Sequence, residues 1–125
     1  MTGGCSRGGI ETATSETQFQ SQVLNASQPV MVTFTADNCP ACTYQRPHFE
    51  EVASQYAWRA DFVKVNLDEA PSLGNAYKVR SVPTVLFFRR GRTVGEPLVG
   101  AFQAVTYRQA LKAILKGRDF RIRQP

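Results

Sequence analysis

The most strongly apolar stretch of the chain is PVMVTFTA, in which nearly every residue from Val30 to Ala36 is hydrophobic or β-branched. A near-continuous apolar run of this length is typical of a central strand that is covered on both faces of a sheet. A second run, DFVKVNLD, predicts another strand from Phe62 to Leu67. The segment VPTVLFFRRGRTVGEPLVGAF predicts a β-hairpin with its turn near Arg90 and Gly91.

A helix is predicted before the first strand. The stretch SETQ is a capping box, in which Ser15 caps the helix and the side chain of Gln18 reaches back. Phe19 and Val23 follow at helical spacing. Together these signals predict a helix over about residues 16–25.

Three more helices follow along the chain. The one after the central strand has an apolar stripe at i, i+3, i+4 and i+7, formed by Phe49, Val52, Ala53 and Tyr56. Pro47 lies inside this helix and should kink it. A short helix is predicted from Pro71 to Tyr77, and a last one is predicted to start at a capping box of Thr106 and Gln109 and to end at Gly117.

The predicted order of elements is helix, strand, helix, strand, helix, strand, strand, helix. Strand–helix–strand alternation requires a parallel pair, and the hairpin adds antiparallel strands, so we predict an α/β fold with a mixed sheet. The 125 residues suffice for one domain. We expect this domain to span residues 15–117, between a flexible segment rich in Gly, Ser and Thr (1–14) and a basic tail (118–125).

The sequence contains no membrane-spanning or targeting pattern that we recognise. No apolar run approaches the roughly 18 residues of a transmembrane helix, and MTGGCSRGGIETATS lacks the apolar core of a signal peptide. We therefore expect a cytoplasmic protein with no membrane partner. The alternative is export or lipid anchoring through Cys5, since small residues that end in a cysteine can be the remnant of a lipoprotein site. The leucine-rich run that such a site requires is absent, which disfavours this alternative.

Basic residues are concentrated in the C-terminal third of the chain. Residues 86–125 contain nine basic and two acidic side chains, whereas residues 1–85 contain six and eight. Such an asymmetry can mark a surface for nucleic acid or for acidic proteins. The aromatic interleaving that is typical of single-strand binders is missing. We therefore favour solvated strand ends, a helix face and a chain terminus over a nucleic-acid surface.

The segment FTADNCPACTYQRP contains two of the three cysteines, in the order Cys39, Pro40, Ala41, Cys42. Pro40 suits the first position of a helix, because its fixed φ is helical and its missing N–H would have no helical partner there. Cys39 is then the N-cap, where free backbone N–H groups and the positive helix end favour a thiolate. We expect the pKa of Cys39 to lie below the value of about 8.5 for a free cysteine.

Cys42 lies three positions further on, on the same helix face and near enough to Cys39 for a disulfide. A cysteine of lowered pKa with a second thiol beside it is what thiol–disulfide exchange requires. Cys39 would attack a substrate disulfide, and Cys42 would resolve the mixed disulfide.

Zinc binding and a structural disulfide are the alternatives for the cysteine pair. A structural zinc site needs four ligands, and the other candidates are His48 and Cys5. His48 lies six residues beyond Cys42, roughly 240° around the helix, so it faces elsewhere. A structural disulfide would close a very small loop, for which the gain in stability is smallest. We therefore predict no metal site and disfavour a purely structural role.

The chain resembles the thioredoxin family in five segments that follow one another with the family's spacing. They are VMVTFTADNCPAC, the helix that contains Pro47, FVKVNLDE, YKVRSVPTVLFFRRGR and LVGAF. The resemblance covers about residues 16–117. It implies a three-layer α/β/α fold with a central mixed β-sheet, and a thiol–disulfide oxidoreductase whose active site lies at the N-terminus of the kinked helix.

The resemblance also implies roles for individual residues. Pro83 corresponds to a cis-proline that lies against the two sulfurs, and the backbone of Val82 to the position that pairs with substrate. Gly100, in the strand beyond, completes the implied substrate-binding set. No bound cofactor is implied, because the Cys39–Cys42 pair itself carries the electrons. The implied partners are protein disulfides and a reductase or other dithiol donor, and we expect a monomer.

Several positions around the dithiol depart from the family's pattern. Asn38 replaces a usual Trp, Thr35 replaces a second aromatic residue, and Pro40-Ala41 replaces Gly-Pro. Thr33 replaces the buried Asp that is proposed to accept the proton of the second cysteine, and the lysine partner of that Asp remains as Lys64. We expect Lys64 to stay charged and stabilise the thiolates; the alternative is that burial leaves it neutral, as the missing base.

One hypothesis from another class remains. The chain could be a thioredoxin-fold binding module that holds a protein or nucleic acid with its basic C-terminal third, while the dithiol is incidental. The intact pair of Cys39 and Cys42 favours the enzyme, whereas Arg121 and Arg123 favour the module.

Overall fold

The structure is a computed structural model that describes residues 9–118 and residue 120. The first half of the chain forms strand β1, helix α1 with a π-helical continuation, strand β2 and helix α2. Their bounds are Glu11–Ala13, Glu16–Phe19 continued by Gln20–Leu24, Val30–Thr35 and Pro40–Tyr56. The second half forms β3, α3, β4, β5 and α4. Their bounds are Asp61–Asn66, Pro71–Ala76, Thr84–Arg89, Arg92–Val99 and Ala104–Leu115.

The five strands form one mixed sheet in the order β1-β3-β2-β4-β5. Strands β1, β3 and β2 are parallel, and β4 and β5 are antiparallel to their neighbours. Arg90 and Gly91 form the turn of the β4–β5 hairpin with φ values of 53° and 79°. A tight hairpin turn with positive φ at both central residues matches the right-handed twist of the strands. The predicted mixed sheet and the hairpin turn are confirmed.

Two hydrophobic clusters cover the two faces of the sheet. Met31 of β2 packs into the cluster that contains residues of α2 and α4, whereas Val32 packs into the cluster that contains residues of α1 and α3. Because side chains alternate along a strand, Thr33 and Thr35 point to the same side as Met31, toward α2 and α4. The α/β/α layering is confirmed. The dithiol belongs to the face that carries α2, because Cys39 caps that helix and Cys42 lies in its first turn.

The N-terminal part of the domain begins earlier than the sequence analysis predicts. Strand β1 pairs in parallel with β3, Ala13 is fully buried, and Ile10 packs against the α2/α4 cluster. The prediction of a flexible segment is therefore wrong for the residues from Ile10 to Ala13, and residues 1–8, including Cys5, lie outside the described residues. A three-residue strand carries too short a pattern to be recognised, because its pairing partner lies some fifty residues further along the chain.

Both predicted capping boxes differ from the structure in detail. Ser15 does cap α1 and accepts a hydrogen bond from the N–H of Gln18, but the Gln18 side chain accepts from Thr14 instead of from Ser15. Helix α4 starts at Ala104, with Gln103 as an N-cap that makes no side-chain hydrogen bond. The capping box predicted at Thr106 is therefore wrong, because Thr106 already lies inside the first turn.

The C-terminal end of α4 and the start of the predicted tail are tied to the domain. Gly117, at φ 80°, donates its N–H to the carbonyl of Ile114, and Arg118 donates to that of Ala113. This pair of bonds is the Schellman arrangement that ends a helix at a glycine. Phe120 packs against the α2/α4 cluster and accepts a hydrogen bond from the N–H of Glu96. The prediction of a separate tail is therefore wrong at these two described residues, 118 and 120; residues 119 and 121–125 lie outside the described part.

The burial of β1 predicts opposite outcomes for two neighbouring substitutions. We expect Ala13→Asp to lower the free energy of unfolding by about 2–4 kcal/mol, because it places an unpaired carboxylate in the core. Thr12→Asp is the matched control, since Thr12 is exposed, and we expect it to change stability by less than about 0.5 kcal/mol. Urea denaturation followed by circular dichroism measures both values. Equal, small effects would mean that β1 is not part of the folded domain.

Candidate active site

The cysteine pair lies at the start of α2, directly after the short loop that follows β2. Asn38 adopts a φ of 54°, a left-handed conformation that Asn tolerates better than most residues, and it turns the chain into the helix. Cys39 is extended and is the N-cap, its Sγ accepts the backbone N–H of Cys42 at 3.1 Å, and Pro40 is at the first helical turn. The predicted positions of Cys39 at the N-cap and of Pro40 in the first helical turn are confirmed.

The two sulfurs are joined in a disulfide, and the Cα atoms of Cys39 and Cys42 are 5.2 Å apart. The two cysteines differ in exposure: Cys39 is half-buried, and Cys42 is only 7% exposed. Pro40 and Ala41 between them are exposed. A reagent or a substrate arriving from solvent therefore meets the sulfur of Cys39 first.

The loop between α3 and β4, residues 77–83, approaches the disulfide. Sγ of Cys39 is 3.9 Å from the carbonyl oxygen of Val82, and the Val82–Pro83 peptide bond is cis. The N–H of Gly100 donates to the carbonyl of Pro83 at 2.8 Å. The structure thus brings together Cys39, Val82, Pro83 and Gly100, which the sequence analysis grouped through the family resemblance alone.

Thr33 and Lys64 lie on the neighbouring strands β2 and β3. They are opposite each other in the parallel pairing of β2 with β3. Both line a cavity of about 880 Å³ that also reaches Asn38 and the two cysteines. Thr33 is buried, whereas Lys64 is exposed. The burial on which the alternative role of Lys64 depends is therefore absent.

Gln45 is a site residue that the sequence analysis missed. It is 1% exposed, and its Nε2 donates to Oγ1 of Thr33 at 3.0 Å. A signal for its burial was present, because the stripe that starts at Phe49 continues backward at helical spacing through Gln45 to Cys42. A polar residue on that stripe indicates that the buried face of α2 is no longer purely apolar near the dithiol.

Tyr107 of α4 makes polar contacts with the segment around Gly100. Its hydroxyl donates to the carbonyl of Gly100 at 3.4 Å and accepts the N–H of Phe102 at 3.2 Å. Burial raises the pKa of Tyr107, and hydrogen bonds from the Phe102 N–H and the Gln45 side chain oppose that rise. The phenol is therefore neutral near pH 7 and remains available as a donor.

His48 is half-buried and contacts the start of α4. Its Nδ1 accepts the backbone N–H of Ala104 at 3.1 Å, and so supplies the cap that Gln103 does not. Its ring is 5.1 Å from that of Tyr44. Among the described residues, no group of three or more His, Cys, Asp or Glu side chains is arranged to hold a metal ion.

The chain is similar to known proteins in both sequence and structure. The sequence model of the family described as Thioredoxin matches residues 10–115. The chain belongs to the thioredoxin family. It is 37% identical over 102 residues to Thioredoxin 1 of Synechococcus elongatus, covering 82% of this chain and 94% of that protein.

Further relatives extend the similarity to eukaryotes. The chain is 34% identical over 103 residues to the chloroplastic M-type thioredoxin of Chlamydomonas reinhardtii, covering 82% of this chain and 73% of that protein. The crystal structure of a Malassezia sympodialis thioredoxin superimposes with a TM-score of 0.73 at 26% identity, over 94% of this chain and 96% of that one. As a thioredoxin-family member with the Cys39–Cys42 pair in place, the protein is a thiol–disulfide oxidoreductase. No helix in the described part of the chain is both long and apolar enough to cross a membrane.

The position of Thr33 predicts how a charge there would change the redox couple. We expect Thr33→Asp to lower the reduction potential by about 30 mV or more, because a carboxylate in the cavity that Cys42 lines opposes thiolate formation and so destabilises the reduced form. Thr33→Asn is the matched control, since Asn has the shape of Asp without its charge. Equilibration with glutathione redox buffers, at neutral and mildly alkaline pH, measures both potentials. The charge argument fails if the Asp and Asn variants have the same potential.

Proposed function

We propose that Cys39 is the attacking thiol, that Cys42 is the resolving thiol, and that the substrates are disulfides of other proteins. The observation that carries this assignment is the N-cap hydrogen bond, in which Sγ of Cys39 accepts the backbone N–H of Cys42. A sulfur that already accepts an N–H and lies at the positive end of a 17-residue helix is stabilised as a thiolate.

The reaction proceeds in two exchanges. The thiolate of Cys39 attacks one sulfur of the substrate disulfide, a Cys39–substrate disulfide forms, and the other substrate sulfur leaves as a thiolate. Cys42 then loses its proton and attacks Sγ of Cys39, which releases the second substrate thiolate and leaves the Cys39–Cys42 disulfide. The substrate gains two electrons and the dithiol loses two. The reverse sequence oxidises a substrate dithiol.

The loop at Val82 supplies a place for the substrate backbone. The carbonyl of Val82 faces Sγ of Cys39, and a cis-proline follows it. An extended substrate segment that donates an N–H to this carbonyl would lie with its own sulfur next to Cys39. This favours a polypeptide substrate, because main-chain pairing of this kind is a general mode of peptide recognition.

The remaining parts of the proposal concern cofactor, partner and place. The dithiol carries the electrons itself, so no bound cofactor is needed. A reductase or another dithiol donor returns the protein to its reduced form, and the protein acts as a monomer in the cytoplasm. The alternative of a binding module gains no support from the described residues Arg89 and Arg108, since Arg108 is engaged by Glu51 and Gln55 and Arg89 donates to the carbonyl of Ile114. Arg121 and Arg123 lie outside the described residues.

The proposed roles predict which thiol of the reduced protein reacts first. We expect limiting iodoacetamide, at a pH of about 6.5, to label Cys39 ahead of Cys42, because Cys39 is more exposed and is the thiolate-stabilised sulfur. Mass spectrometry of tryptic peptides identifies the labelled residue. Cys5→Ser is the control, and it should leave disulfide reduction unchanged. Preferential labelling of Cys42 would reverse the two roles.

A further inference from the structure

Gln45 occupies a position that packing alone does not explain. Apart from Tyr107, three residues with polar side chains are buried in the described part of the chain: Thr33, Gln45 and Thr84. Gln45 lies on the apolar face of α2, one turn beyond Cys42 and one turn before Phe49. A buried primary amide is costly unless its hydrogen bonds are made. An apolar side chain would pack there without that cost, so the amide indicates a role for its hydrogen bonds.

The side chain of Gln45 is bonded to Thr33 and lies near Tyr107. On one side, Nε2 donates to Oγ1 of Thr33, which shares a cavity with Cys42. On the other side, the Gln45 amide lies close enough to the Tyr107 hydroxyl to oppose the rise in the pKa of that phenol, and the hydroxyl donates to the carbonyl of Gly100. Gly100 in turn holds the carbonyl of Pro83. One buried amide therefore lies between Thr33, which lines the same cavity as Cys42, and the loop that faces Cys39.

The bond from Gln45 also determines what the Thr33 hydroxyl can do. A hydroxyl has one proton to donate. Because Oγ1 accepts from Gln45, that proton points away from the amide. Thr33 lies in β2, whose backbone is paired with β3 on one side and with β4 on the other. The proton is thus available to an acceptor in the cavity, and Cys42, 7% exposed, is the acceptor there that gains a negative charge during the reaction.

We propose that Gln45 is a positioning residue for the resolving step, because it holds the Thr33 hydroxyl as a donor to the thiolate of Cys42. The inference rests on the proposed roles of Cys39 and Cys42. In the mixed-disulfide stage Cys42 loses its proton to solvent through the open cavity. The Thr33 hydroxyl donates to the resulting thiolate, which then attacks Sγ of Cys39 and expels the substrate thiolate. Thr33 stays protonated throughout, so it acts by stabilising a charge.

Several charged groups also border this cavity. Lys64 comes from β3, Arg46 and Glu50 come from α2, and Asp37 comes from the loop after β2. All four are exposed, so solvent weakens their effect on the sulfur. From α4, the neutral Tyr107 hydroxyl bonds to the segment around Gly100. The donor that is buried with Cys42 is therefore the neutral Thr33.

The resolving step can be measured apart from the first exchange. The reduced Cys5→Ser protein is mixed with excess 5,5′-dithiobis(2-nitrobenzoate), and the absorbance of released thionitrobenzoate is followed by stopped flow. Attack by Cys39 releases the first equivalent at a rate that depends on reagent concentration. Resolution by Cys42 releases the second at a rate that does not. The ratio of the two rate constants, measured across the pH range from about 5 to 9, isolates Cys42 from general changes in reactivity.

Four variants test the proposal. Thr33→Val keeps the shape but removes the donor, and we expect the resolution rate at neutral pH to fall about tenfold relative to the first phase, with its pH midpoint moved upward. Thr33→Ser restores the donor and should recover most of the rate. Gln45→Met removes the positioning bond and should slow resolution in the same direction, by about threefold or more. Gln45→Glu reverses the polarity of the pair, because a carboxylate accepts the Thr33 proton, and should move the midpoint furthest upward.

The possible outcomes separate this inference from the proposed function. If the wild type shows no concentration-independent second phase, the assignment of Cys39 as attacking thiol and Cys42 as resolving thiol is wrong. The role of Gln45, which depends on that assignment, is then wrong as well. If that phase is present but Thr33→Val and Thr33→Ser resolve at the same relative rate, the hydroxyl is not a donor to Cys42. If Thr33→Val slows resolution while neither Gln45 variant does, Gln45 has no positioning role. Where Thr33→Val or Gln45→Met fails to fold, the folded pair of Thr33→Ser and Gln45→Glu decides, because only the second should shift the pH midpoint.

Discussion

The hydrogen bond from the backbone N–H of Cys42 to Sγ of Cys39 is the interaction on which the rest of the site depends. It exists because β2 ends at Thr35, Asn38 turns the chain, and Pro40 starts the helix directly after the cysteine. A proline at the first helical turn removes the N–H that would have no partner there and leaves the next donors directed at the sulfur. The same bond sets the asymmetry of the pair, since it favours charge on Cys39 and keeps Cys42 beneath it.

The part of the cavity that Thr33 and Gln45 line is polar but uncharged. Thr33 stands where the family resemblance implies a buried carboxylate, and it is held by Gln45, an amide that carries no charge at any pH. A buried carboxylate would oppose thiolate formation, whereas a hydroxyl that donates supports it. Lys64 remains at the edge of the same cavity, in solvent. These features together favour the reduced form of the dithiol, and a dithiol that is stabilised in its reduced form is the stronger oxidant.

The sequence predicted the parts of the molecule that local patterns determine. The apolar run of β2, the turn at Arg90 and Gly91, and the N-cap at Cys39 each follow from residues within one short segment, and each is confirmed. Strand β1 and the contact of His48 with Ala104 depend on partners far along the chain, and neither leaves a periodic signal. Gln45 is an intermediate case: helical spacing from Phe49 indicates its burial, but only the fold shows that Thr33 and Tyr107 lie beside it.

The reduction potential of the Cys39–Cys42 pair in the unmodified protein tests the central claim most directly. The claim is that the dithiol is one two-electron couple whose reduced form is stabilised by the helix N-terminus and by the uncharged polar side chains of Thr33 and Gln45. Equilibration with redox buffers, with the two thiols counted by mass spectrometry after alkylation, gives the value. The account predicts a single two-electron transition at a potential above the roughly −270 mV of thioredoxin. A potential at or below that value, or the absence of a shared transition of Cys39 and Cys42, would contradict it.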